Sequence, residues 1–170
     1  TTHAPWPPRR AHQMRIHPRP HRPNGHSRTG RRAARAANAA RTGYTEGLLG
    51  GDYWDARGAR VVVMGSAYRG GVKETAFSGV FPTVASLGLR GAEVSVHDPL
   101  YSDAELTELK LNPYQKGDPV DAAILQTDHA AYKALRAADL PGIRVFVDGR
   151  RVRSPADWPG VTHRTVGVAA

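Results

Sequence analysis

From residue 59 onward the apolar positions switch between two spacings. Arg60-Val61-Val62-Val63-Met64 is an unbroken, mostly β-branched run halted by Gly65, the pattern of a strand buried on both faces. Between Ser78 and Leu89 the spacing becomes helical, with Val80, Val84 and Leu87 on one side and Gly91 just past the end. Pro82 fits such a helix only in its first turn, where no N–H is needed. Glu93 to His97 alternates, turning Val94 and Val96 inward, and Pro99 stops it. Ser102-Asp103-Ala104-Glu105 is a capping box, in which serine and glutamate each satisfy an otherwise open backbone N–H. It predicts a short helix reaching Lys110. Asp121 to Leu125 predicts a third strand, and Asp128 an N-cap for a helix through Tyr132 and Leu135. Ile143 to Val147 predicts a fourth strand closed by Asp148-Gly149, and a last short strand falls within Val161 to Val168.

Strands alternating with helices imply right-handed crossovers. The predicted fold is therefore α/β: a Rossmann-like parallel sheet flanked by helices on both faces. Ligands of such sheets bind beyond the carboxyl ends of the strands. That directs attention to the loops 65–78, 97–102, 125–129 and 148–153.

Composition changes this picture mainly at the front of the chain. The 170 residues carry a net charge of +9, which by itself suggests a nucleic-acid or anionic-surface partner. Residues 1–45 hold ten arginines and no acid, the first acidic residue being Glu46, whereas residues 46–170 hold 14 Lys+Arg against 15 Asp+Glu. The basic character thus belongs to a leader rich in Arg, Pro and His, which has too few aliphatic residues to offset chain entropy and is predicted to be disordered. A short frayed helix is compatible with residues 31–41. The leader reads as a polybasic arm, as a targeting peptide without a secretory apolar core, or as a start with no function, and the beginning at Thr1 favours the last. Residues 46–58, where Gly50, Gly51 and Gly58 flank Tyr53 and Trp54, read as a linker, and 59–170 as the domain. There is no cysteine, which excludes disulfides, thiolate metal sites and a cysteine nucleophile in this chain. No apolar run is long enough to cross a membrane, and the expected location is cytoplasmic.

The chemistry concentrates in two loops. Gly65-Ser66-Ala67-Tyr68-Arg69-Gly70-Gly71 follows a strand and precedes a helix, a Gly-x-Ala-x-x-Gly variant of the dinucleotide turn. Its amides could cradle phosphate, Arg69 could add a guanidinium, and Asp98 falls where an acidic residue would meet a ribose. The same residues also make an ordinary strand-to-helix turn. Asp148-Gly149-Arg150-Arg151-Val152-Arg153 puts three arginines at a strand's carboxyl edge, able to pair with a diphosphate or to stay solvated. His97-Asp98 and Asp128-His129 are possible acid/base pairs, more cheaply explained as a strand terminator and a helix cap.

Taken together, VVVMGSAYRGGVKETAFSG (61–79), GAEVSVHDPLY (91–101), DAAILQTDHAAYKAL (121–135) and IRVFVDGRRV (143–152) closely resemble, in order and spacing, the C-terminal UDP-binding domain of the UDP-glucose/GDP-mannose dehydrogenase family. The likeness covers residues 59–168. It implies NAD-dependent oxidation of a UDP-sugar C6 alcohol to a uronic acid, through a cysteine thiolate that traps the aldehyde. It implies substrate contact by Tyr68, Arg69, Arg150, Gly65 and Gly70, with Arg69 standing where the family usually has lysine and Asp148-Gly149-Arg150 matching the family's Asp-Gly-Arg. The family arginine that reaches NAD corresponds to Ala76 here. The family's cysteine and its NAD-binding glycine motif lie N-terminal to this domain and have no counterpart in the chain. The expectation is therefore a fragment or degenerate copy that holds UDP-sugar and is inactive alone. The alternatives are a partner that completes a split dehydrogenase by joining a separate NAD domain, or an anion- or nucleic-acid-binding module acting through the leader.

Overall fold

The computed structural model describes residues 56–167. The leader 1–45, most of the predicted linker and Val168 lie outside the described residues. Five parallel strands form one sheet: β1 (Arg60–Met64), β2 (Glu93–His97), β3 (Ala122–Leu125), β4 (Val145–Asp148) and β5 (Thr162–Thr165), in the order β2-β1-β3-β4-β5. All five predicted strands are present. β4 starts two residues later than its apolar pattern, because Ile143 N–H closes a turn on the Leu140 carbonyl and Arg144 N–H bonds the Asp121 carbonyl.

Helix α1 (Val80–Leu89) begins two residues after the predicted start, because Ser78 Oγ accepts the Val80 N–H and so stands before the helix. Gly91, at φ +84°, reverses the chain beyond it, as the glycine position predicts. Helix α2 (Asp103–Glu108) has the predicted capping box, with Glu105 N–H on Ser102 Oγ and Ser102 N–H on the Glu105 carboxylate. It stops two residues short of Lys110, which turns to φ +63°. The helix predicted after Asp128 is instead a single 3₁₀ turn, Ala130–Ala134, followed by a second at Ala137–Asp139. Asp128 does not cap it, because its carboxylate is taken by Gly70 N–H, and extended backbone at Leu135 ends the turn.

Strand alternation sends β1 side chains to two cores. Val61 and Val63 join Ile124, Val147 and residues of both α-helices, among them Val80, Leu87 and Leu106. Val62 and Met64 join Leu125, Phe146, Tyr132, Leu140 and Trp158 on the opposite face. The α-helices therefore cover one face, and the 3₁₀ turns with the Trp158 segment cover the other. Phe146 stacks on Trp158 with ring centroids 3.9 Å apart and planes 20° apart. No helix of the described residues is long and apolar enough to cross a membrane.

From β1 the chain crosses to β2 on one side and later returns to β3 on the other. In such a strand order the ligand crevice usually lies where the order reverses, beyond the carboxyl ends of β1 and β3. Phe146 and Trp158, both fully buried, hold up the face without α-helices. Phe146→Ala is expected to cost about 3–5 kcal/mol of unfolding free energy, read from urea denaturation. A loss below 1 kcal/mol would show that this core does not bear on stability.

Candidate functional site

At the bottom of the β1/β3 crevice lies one carboxylate. Asp98, at the end of β2, is 3% exposed. Its Oδ2 accepts from Ser66 N–H at 2.7 Å, Ala67 N–H at 3.0 Å, Ser66 Oγ at 3.0 Å and His129 Nε2 at 3.1 Å, and its Oδ1 from Leu100 N–H at 2.9 Å. Burial by itself pushes this carboxyl upward. The Leu100, Ala67 and Ser66 amides, with His129, outweigh it and hold the group below its ordinary value. Asp98 is thus an internal anchor, and the predicted ribose contact fails because its side chain is fully buried and bonded from within.

The same bonds decide what the 65–71 turn can do. Gly65 N–H goes to the His97 carbonyl, Ser66 and Ala67 to Asp98, Tyr68 to the Glu74 carbonyl, Gly70 to Asp128 Oδ1 at 3.2 Å, and Gly71 to His129 Nδ1 at 3.2 Å. Apart from that of Arg69, the amides that a phosphate cradle would use are committed to protein acceptors, and α1 begins only at Val80. Gly65 and Gly70 are explained by close packing. At Gly65 (φ +102°) a Cβ would stand 2.3 Å from Thr127 Cβ, and at Gly70 one would stand 2.4 Å from the Asp128 carbonyl oxygen. Thr127 Oγ1 in turn bonds the Ala67 carbonyl at 2.7 Å. The turn is clamped onto the loop after β3.

The histidines are also used internally. Gly71 N–H points at His129 Nδ1, which assigns the ring proton to Nε2, facing Asp98. Tyr132 OH donates to the His97 carbonyl at 2.8 Å, which leaves His97 Nδ1 to donate to the phenol oxygen at 3.0 Å. Burial lowers the His97 pKa and raises that of Tyr132. Neither predicted acid/base pair faces the crevice as a proton carrier.

The 148–153 loop divides its arginines. Buried Asp148 accepts the Arg150, Val152 and Arg153 N–H groups at 2.7–2.8 Å and so winds the loop around itself. Arg151, at φ +58°, turns away and bonds the Val166 and Gly167 carbonyls. Arg153 ties down the Lys133 and Leu135 carbonyls and pairs with Asp157. Only Arg150 crosses to the first turn. Its Nη2 donates to the Tyr68 carbonyl at 3.1 Å, and its Nε lies 3.8 Å from Asp128 Oδ1. That Nε is buried and has no hydrogen-bond partner among the described residues. Tyr68 is 55% exposed beside it. Arg69, at the tip of the turn, is exposed and makes no ion pair or hydrogen bond among the described residues. The tyrosine-arginine corner and the late arginine thus meet at one edge of the sheet. Asp128 was missed as a member of this group. Its loop position after β3 was the signal, and its local resemblance to a helix cap hid it.

Comparison with known proteins shows the family and the fold. The family model for the UDP-binding domain of the UDP-glucose/GDP-mannose dehydrogenase family matches residues 62–155. No curated protein matches. Among solved structures, a UDP-glucose dehydrogenase from Pyrobaculum islandicum is 25% identical, with a TM-score of 0.67, over 81% of this chain and 32% of its own. A UDP-D-ManNAc dehydrogenase from Pyrococcus horikoshii is 21% identical, TM-score 0.60, over 82% and 33%. A UDP-N-acetyl-mannosamine dehydrogenase from Staphylococcus aureus is 20% identical, TM-score 0.61, over 82% and 32%. The chain therefore spans about a third of the length of these structures.

Asp98 gives the site a test of its own. Asp98→Asn puts an NH₂ among N–H donors and is expected to destabilise the protein by about 3 kcal/mol or more at neutral pH. Because the folded-state pKa is depressed, the carboxylate's contribution is present above the unfolded value of about 3.9 and is lost as pH falls through the lower folded value. The gap between wild type and variant in denaturant melts should narrow below about pH 4. A pH-independent gap would refute the anchoring role.

Proposed function

Because the chain belongs to the UDP-glucose/GDP-mannose dehydrogenase family through its UDP-binding domain, we propose that it holds the uridine diphosphate part of a UDP-sugar at the β1/β3 crevice. The observation that carries this reading is Arg150, whose guanidinium crosses to the Tyr68–Gly70 turn with one buried N–H unused. A phosphate oxygen supplies the missing acceptor, and charge-assisted bonds of this kind are the strong ones. Arg69 adds a second guanidinium, and Tyr68 a half-exposed aromatic face for a base or sugar. With every amide of the turn but that of Arg69 occupied, anion recognition falls mainly to side chains. Gly65 and Gly70 then serve by letting the turn approach the loop after β3.

NAD, which membership of the family implies for the complete reaction, does not fit the described residues. The turn offers no run of open amides at a helix start, and position 76 carries only a methyl group. With no cysteine in the chain, the family's thiolate step has no nucleophile here. In this reading the chain alone binds UDP-sugar and does not oxidise it. A second reading, a partner that completes a split dehydrogenase, is favoured by Phe77. This residue sits in the same loop, 90% exposed, with an unfavourable φ of +63°.

Calorimetric titration of the full chain with UDP tests the first reading. Arg150→Ala is expected to weaken binding by about 1.5–3 kcal/mol, roughly ten- to a hundredfold. An unchanged isotherm would show that Arg150 does not hold the diphosphate and would overturn the reading.

A further inference from the structure

Beside Arg150 the crevice already holds an anion. Asp128 is half-exposed on the loop after β3, with Oδ1 3.8 Å from Arg150 Nε and within hydrogen-bond distance, 3.2 Å, of Gly70 N–H. Among the described residues no other carboxylate pairs with that guanidinium, since Asp148 is engaged with its own loop amides and Asp98 with the base of the first turn. The cation adjoining Asp128 is Arg150, and the neighbouring His129 ring carries its single proton toward Asp98.

We propose that Asp128 is the resident counter-ion of the site, a carboxylate that keeps Arg150 oriented while the site is empty and that a diphosphate must displace. The inference rests on the function proposed above. An ion pair at 3.8 Å without a hydrogen bond is loose, so it is exchangeable. Once a phosphate takes Arg150 Nε, the Asp128 charge faces the ligand's charge and opposes binding. Asp128 thereby acts as an affinity-setting residue whose penalty grows with ligand charge. Gly70 N–H holds the carboxylate in place on the turn, so relief by simple rotation toward solvent gives up that bond.

Asp128→Asn separates charge from geometry, since the amide oxygen still accepts from Gly70. In the full chain, the variant should bind UDP about three- to tenfold more tightly at low salt. It should bind UMP with a smaller gain and uridine with none, and the UDP gain should shrink as salt rises. In the Asp128→Asn/Arg150→Ala double variant the gain should vanish. Asp128→Ser, also neutral, is read the same way should the asparagine variant fold poorly. If wild type binds UDP and neither neutral variant binds it more tightly, or if uridine gains as much as UDP, the counter-ion role is overturned while the proposed function stands. If neither wild type nor the neutral variants bind UDP, both fall together.

Discussion

The site depends on a single buried carboxylate. Asp98 joins three separate pieces of chain: the turn after β1 through Ser66 and Ala67, its own strand end through Leu100, and the loop after β3 through His129. A carboxylate stripped of water is costly unless its oxygens are filled by donors, and here they are. Satisfying Asp98 therefore fixes where the turn, the strand end and the loop stand relative to one another. The tip of the turn, Tyr68 to Gly70, is the part left to project toward Arg150.

This arrangement has a consequence for recognition. In a phosphate-cradling turn, backbone amides are kept open for the ligand, and the helix start adds its potential. Here all of those amides but that of Arg69 bond within the protein, and eight residues separate Gly71 from Val80, where α1 starts. In the proposed reading, attraction for an anion then comes mainly from side chains, with the guanidinium groups of Arg69 and Arg150 at hand. Arg150 is held by the Asp148 loop and the Tyr68 carbonyl before any ligand arrives, which lowers the ordering cost of binding.

The strands were legible because buried parallel strands leave near-continuous β-branched runs, as in Val61 to Val63, and α2 because its capping box is a local device. The roles of the aspartates were not. Asp128 stands where an N-cap would, but its partner, Gly70 N–H, is 58 positions away. Spacing placed Asp98 at a strand's carboxyl end and could not say that it points inward. Arg150, Arg151 and Arg153 look alike in sequence. The Asp148 carboxylate and the left-handed turn at Arg151 sort them into one crossing the crevice and two bound to carbonyls. The family motifs pointed to these loops, while the division of labour within them came from long-range contacts.

The central claim is that the Tyr68–Gly70 turn and Arg150 together form one anion site. The most direct measurement is a UDP titration of the ¹⁵N-labelled full chain followed by NMR, with the Arg150 side-chain Nε–H resonance as the key signal. The account predicts saturable shifts of that resonance and of the Arg69, Gly70 and Gly149 amides, at one common dissociation constant. Shifts confined to residues 1–45, or to the opposite end of the sheet around Glu93 and Asn112, would contradict it.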